Sequence, residues 1–318
     1  MALNLNSLTE YVDEQRLPLI RKSVLGARTI AHMELQTGVV GKTALNLLET
    51  DVVFGDGSQC GWNEAGETKL SQRYLDPAML KVNMSFCDKK MAKYWMNYEV
   101  KVAAGRSNLP FAEDFVGSIV ENINEKLDSV IWNGISLKDG DEVEKGTEGA
   151  THYKGLLDIT GVTTATKGAT VYASTRAVYN AIPSASLKDS KIFIGIDKYR
   201  ELAGELTEKN LYHYDPKVDD AFKMILPGTV TEVVGVPGLN GTNKIVAFNT
   251  KHTIYGVDME GDEETFDLWY SKDNQEWRVA INFNEAQQVA YTNELVVCDL
   301  AEANEGSGET PSNPSEGE

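Results

Sequence analysis

The chain has three cysteines in 318 residues, Cys60, Cys87 and Cys298. Their odd count and their spacing exclude a disulfide framework and a zinc-finger pattern, and fit reduced thiols. Long hydrophobic runs are missing: no window reaches the roughly 18 apolar residues that a membrane helix needs. The start, Met1-Ala2-Leu3-Asn4, lacks the basic-then-apolar pattern of a signal peptide. Positive charge is scarce, with 30 Lys and Arg against 48 Asp and Glu and a formal net charge of -18. Nucleic-acid readers neutralise phosphates with bases, so a dedicated reader is excluded, although contact along one face is not.

The signatures of common enzymes are missing too. There is no nucleophile elbow, phosphate loop or dinucleotide fingerprint, and Gly55-Asp56-Gly57-Ser58 reads as a turn. His32, His152, His213 and His252 stand far apart in sequence, and each reads as a satisfied, partly buried histidine and not as a ligand or base. Lys138 to Glu148 looks like a calcium loop only superficially, because Val143 stands where an oxygen ligand belongs. Glu263 and Glu264 lie within a run of acids, which fits a solvated loop better than a catalytic pair. No catalytic residue, metal or cofactor is expected.

A core, by contrast, is well supplied, with 42% hydrophobic residues. The chain is organised around one helix. Phe111, Phe115, Ile119, Ile123, Leu127 and Val130 or Ile131 recur at three-to-four spacing and form one apolar stripe. Ser107 or Asn108 can cap the start, Pro110 suits the first turn, and Glu113 and Asp114 suit the helix dipole. Gly134 after Asn133 supplies a left-handed stop. From Phe111 to Asn133 the helix would run roughly 34 Å at 1.5 Å per residue, long enough to act as a strut.

Before it, residues 1–45 read as an arm of short helices broken at Pro18. Leu45 to Phe54 reads as a strand, Gly55, Asp56 and Gly57 as a tip, and Lys69 to Phe86 as a returning strand with Pro77 as an edge signal. Such a two-stranded arm, on the order of 30 Å long, is marginal alone and needs a neighbour to lie on. Lys81, Lys89, Lys90, Lys93 and Lys101, interleaved with aromatic residues, read as a solvated face or as an inward face against a polyanion. After the strut come a polar loop, a helix over Tyr172 to Ile182 ended by Pro183, a buried strand Lys191 to Ile196, and a helix capped by Asp197. Strands follow at Val230 to Val236, Lys244 to Asn249, Thr253 to Val257, Phe266 to Tyr270, Glu276 to Phe283 and Val289 to Leu300. Residues 301–318 carry five acids, no base and no apolar anchor, and are expected to be disordered.

This order of parts resembles the major capsid proteins of tailed bacteriophages, an α+β architecture of the Hong Kong 97 type. The resemblance spans about residues 1–300. It rests on the arm, the extended loop around Gly55-Asp56-Gly57, the helix closing in Ile131-Trp132-Asn133-Gly134, and Lys154-Gly155-Leu156-Leu157 after the polar segment. It implies an N-terminal arm at 1–45 and an extended loop at 46–88. It also implies a peripheral domain at 89–178 and 258–300 with spine helix 111–133, an axial domain at 179–257, and a tail at 301–318. The implied partner is the chain itself, in hexamers and pentamers of a virion shell assembled in host cytoplasm. A separate scaffolding protein, portal, decoration proteins and packaged genomic DNA, held by weak non-specific contacts, are implied with it, and no membrane. Intersubunit contact is expected from Phe54, Gly55, Asp56, Gly57, Trp62, Lys69 and Arg73, with Trp62 as the anchor. Some relatives form isopeptide cross-links, but no acid-activated partner for Lys69 is identifiable. An encapsulin-like compartment, a tail-tube component and an unrecognised enzyme stay open as alternatives.

Overall fold

The computed structural model describes residues 19, 22, 25–54, 58, 66–87, 111–138, 141–143, 150–209, 222–258 and 265–300. Ser107, Asn108, Pro110, the turn Gly55-Asp56-Gly57, Trp62, the lysines from Lys89 to Lys101 and the segment 301–318 lie outside these residues, as does most of the N-terminal arm.

Helix α1 (Phe111–Asn133) has the bounds its periodicity predicts. Val116, Ile119, Val120, Ile123, Leu127 and Ile131 are buried along one side. Gly134 ends it at φ +70°, with its N–H donating to the Val130 carbonyl at 2.7 Å. Among the described residues, the polar segment that follows forms a small three-stranded sheet.

In chain order the strands are β1 (Glu34–Thr37), β2 (Thr43–Asp51), β3 (Glu67–Leu75), β4 (Ala78–Phe86), β5 (Ile135–Lys138), β6 (Asp141–Val143), β7 (Ala150–Tyr153) and β8 (Thr163–Thr164). There follow β9 (Ser190–Gly195), β10 (Lys223–Ile225), β11 (Glu232–Val236), β12 (Lys244–Asn249), β13 (Thr253–Val257), β14 (Thr265–Ser271), β15 (Glu276–Val289) and β16 (Val296–Asp299). Two further helices are α2 (Val171–Ala181) and α3 (Ile196–Glu208). A six-stranded sheet runs β10-β11-β9-β12-β16-β8. A five-stranded sheet runs β1-β13-β15-β14, with β4 on the other side of β15.

The six-stranded sheet is apolar on both faces, and the two-residue period of its strands sorts the side chains between two cores. Ile192, Ile194, Val233, Ile245 and Ala247 meet α2 and α3. Their neighbours Phe193, Val234, Val246 and Phe248 face the other way, into the core of α1 and the five-stranded sheet. Trp132, at the last turn of α1, marks the junction. Its ring centroid lies 5.7 Å from that of Phe193 and 6.1 Å from that of Phe248, and its indole N–H donates to Thr29 Oγ1 at 2.9 Å.

Three sequence readings need correction. The strand expected from Lys69 to Phe86 is two strands. Pro77 has no N–H to donate and a fixed φ, so the ribbon ladder stops at Leu75, and β4 instead pairs with β15 over nine positions, from Ala78↔Glu285 to Phe86↔Trp277. β15 runs on to Val289, beyond the predicted Phe283, because β13 pairs with it from Glu285 to Val289, and the strand expected from Val289 to Leu300 is confined to Val296–Asp299. Asp197 does not cap α3. Asn240 Oδ1, from the turn after β11, accepts the Ile196 N–H at 2.6 Å, and Asp197 Oδ2 accepts from Gly241 N at 3.2 Å.

Candidate self-association surface

Strands β2 and β3 pair antiparallel over nine positions, from Thr43↔Leu75 at the foot to Asp51↔Glu67 near the end. The foot is fastened. Leu75 packs with Val39 and Ala286, Gln288 Nε2 donates to the Tyr74 carbonyl at 3.0 Å, and the Tyr291 hydroxyl donates to the Leu48 carbonyl at 3.4 Å. Beyond the foot, every described side chain from Leu48 to Phe54 and from Glu67 to Gln72 is exposed.

The register divides this ribbon into two unlike faces, because side chains directly opposite each other share a face and alternate along each strand. One face carries Ala44 with Tyr74, Asn46 with Gln72, Leu48 with Leu70, and Thr50 with Thr68. It bears no charge. Leu48 is 58% and Leu70 81% exposed, side by side, and Gln72 Nε2 donates to Asn46 Oδ1 at 2.7 Å. The other face carries Leu45 with Arg73, Leu47 with Ser71, Glu49 with Lys69, and Asp51 with Glu67. Lys69 Nζ stands 3.4 Å from Glu67 Oε2.

The expected contact residues are therefore dispersed. Phe54 stands beyond the last pair and is 95% exposed, following exposed Val52 and Val53. Lys69 sits midway along the charged face. Arg73 sits at the foot, lining a cavity of about 500 Å³ with Lys42, Tyr74, Asp76, Lys154 and Gln287, where burial lowers its pKa. Gly55, Asp56, Gly57 and Trp62 lie outside the described residues. The sequence reading did not single out Leu48 and Leu70; the hairpin register sets them opposite each other.

A second apolar surface runs between β4 and α1. It is a groove of about 410 Å³ whose walls include Leu80, Val82, Met84, Ile123, Leu127 and Val130, with Lys81 and Lys126 among its polar residues. Of the four histidines, the side chains of His32 and His252 are described. His32 packs on Phe193 at 5.6 Å between centroids, and His252 Nδ1 lies 2.6 Å from Glu294 Oε2. Among the described residues no three His, Cys, Asp or Glu side chains are grouped to hold a metal, and no helix is long and apolar enough to cross a membrane.

No protein-family model matches the sequence, and no curated protein matches it. Solved structures do. The satellite phage P4 procapsid superposes with a TM-score of 0.56 at 10% identity, over 90% of this chain and 90% of that one. The capsid of an empty GTA particle gives 0.53 at 10% identity, over 87% and 89%. A virus-like particle from Pyrococcus furiosus gives 0.51 at 11% identity, over 90% and 98%. The fold is of the Hong Kong 97 capsid type.

Proposed function

We propose that this chain is a major capsid protein that assembles into an icosahedral shell around a viral genome, as a structural protein and not an enzyme. The ribbon carries this reading. A two-stranded hairpin is marginal in water by itself, and this one holds an uncharged face with Leu48 and Leu70 exposed, a surface that becomes stable when another subunit covers it. The fold shared with the P4 procapsid and the GTA capsid supports the same reading.

In this reading the ribbon, with Phe54, Lys69, Arg73 and the turn through Trp62, lies over an adjacent subunit. The sheet carrying α2 and α3, around residues 179–257, faces the capsomer centre, and α1 with the five-stranded sheet forms the periphery. Hexamers and pentamers of the chain would be built with a scaffolding protein and a portal, and their inner face would meet DNA only through weak non-specific contacts, in keeping with the net charge of -18. The test is negative-stain microscopy and sedimentation of the purified chain, with scaffolding protein supplied. Closed particles or capsomers are expected; monomer alone at every concentration and salt would overturn the proposal. The second reading is an encapsulin-like compartment, a shell of the same fold around protein cargo. Nucleic acid inside the particles argues for the first, and enzyme cargo for the second.

A further inference from the structure

Before it joins the five-stranded sheet as β1, the chain crosses to the six-stranded sheet. Ala27, Ile30 and Met33 are buried in the α1 core, and the turn Ile30–His32 presses the His32 ring onto Phe193 of β9. Charged groups reach this imidazole from every strand beside it: Lys191 on β9, Lys223 on β10 and Glu232 on β11, with Arg28 from its own segment. The one acid is already engaged, with Lys191 Nζ 2.8 Å from Glu232 Oε2. Arg28 is turned toward Phe222, its guanidinium carbon 5.3 Å from that ring. A neutral imidazole suits this place; an imidazolium would be half-buried among three cations.

We propose that residues 27–37 are a strap released by acid, with His32 as the trigger. Docked, the strap holds β1 in parallel register with β13, from Glu34↔Ile254 to Thr37↔Val257, and brings Thr29 to Asp128 and Trp132. Released, it uncovers Phe193.

The sign follows from where the proton binds more easily. Burial first, and then Lys191 and Lys223, lower the His32 pKa from 6.5 to about 4. In the released strap the ring meets water and titrates near its ordinary value of about 6.5. The docked state thus binds fewer protons, so docking is at full strength above about 6.5 and weakens as pH falls, by at most about tenfold per unit, until about 4. Glu232 is held low by its hydrogen bond from Lys191, stays ionised through this window, and opposes release.

The test is hydrogen exchange of the full chain between pH 7 and pH 4, corrected for intrinsic rates, followed on peptides spanning residues 27–37 with peptides from α2 as the internal reference. In the parent, protection of the strap should fall as pH drops through this window while α2 stays protected. His32→Gln, which cannot charge, should hold strap protection flat, and Glu232→Gln, which removes the one group raising the docked pKa, should deepen the loss at the acid end of the window. A His32→Gln protein that loses protection at the parent's pH overturns the proposal, as does a parent that keeps it. Should His32→Gln fail to fold, a Glu232→Gln protein that loses no more protection at pH 4 than the parent overturns it independently.

Discussion

Asp128 Oδ2 accepts the Gly238 N–H at 2.7 Å, and a Cβ on Gly238 would stand only 2.2 Å from the Asp128 carbonyl oxygen. The turn after β11 thus meets α1 at a distance that glycine alone permits. Asp128 Oδ1 takes the Thr29 N–H at 2.8 Å, so one fully buried carboxylate ties the strap, the strut and the six-stranded sheet together. Burial raises its pKa, and the hydrogen bonds from Thr29 and Gly238 oppose that rise.

Gly238→Ala should destabilise the chain by about 1–3 kcal/mol or more, because the obstacle is helix backbone and cannot swing aside. Asp128→Asn should cost about 1–3 kcal/mol although it removes a buried charge, since its amide NH₂ would face one of two backbone N–H donors. Urea unfolding of each variant reads both effects, and an Asn variant as stable as the parent would show that the carboxylate is not the tie.

At α3 the cap comes from outside the helix. Asn240→Ala should lower stability by about 1 kcal/mol, the usual worth of an N-cap, with thermal unfolding as the measurement. Asp197→Ala should cost less, because its partner is the exposed Gly241 N–H of a surface turn. The reverse ranking would restore the local cap that the sequence suggests.

This exchange of caps shows what was legible. Helix α1 could be read to the residue because its stripe and its glycine stop are both local. The buried strands β9, β12 and β13 could be read from β-branched runs. What a local pattern hides is a partner distant in sequence: Asn240 is 44 positions from Ile196, and β4 belongs to β15 rather than to the hairpin it follows. The ribbon's faces were half legible for the same reason. Phe54, Lys69 and Arg73 were singled out as expected contact residues on an extended loop, and the structure leaves Phe54 and Lys69 exposed. The apolar pair Leu48 and Leu70 becomes visible only when the register brings the two leucines opposite each other.

That pair gives the sharpest separation of the ribbon's faces. If the uncharged face lies on a neighbour, Leu70→Asp should impair assembly strongly, because a carboxylate would be desolvated where a leucine was covered. Lys69→Gln, on the opposite face, should change assembly little, since its partner Glu67 is an exposed ion pair of the kind worth about 0–1 kcal/mol. Both side chains are open to solvent in the single chain, so circular dichroism and melting should match the parent in each. The assembly threshold by light scattering is the readout, and each subunit in a shell repeats the contact, so a loss of about 1 kcal/mol per copy is visible as a clear shift in threshold concentration. Should Lys69→Gln raise the threshold while Leu70→Asp leaves it unmoved, the charged face is the one that docks, and the two leucines are surface residues without a partner.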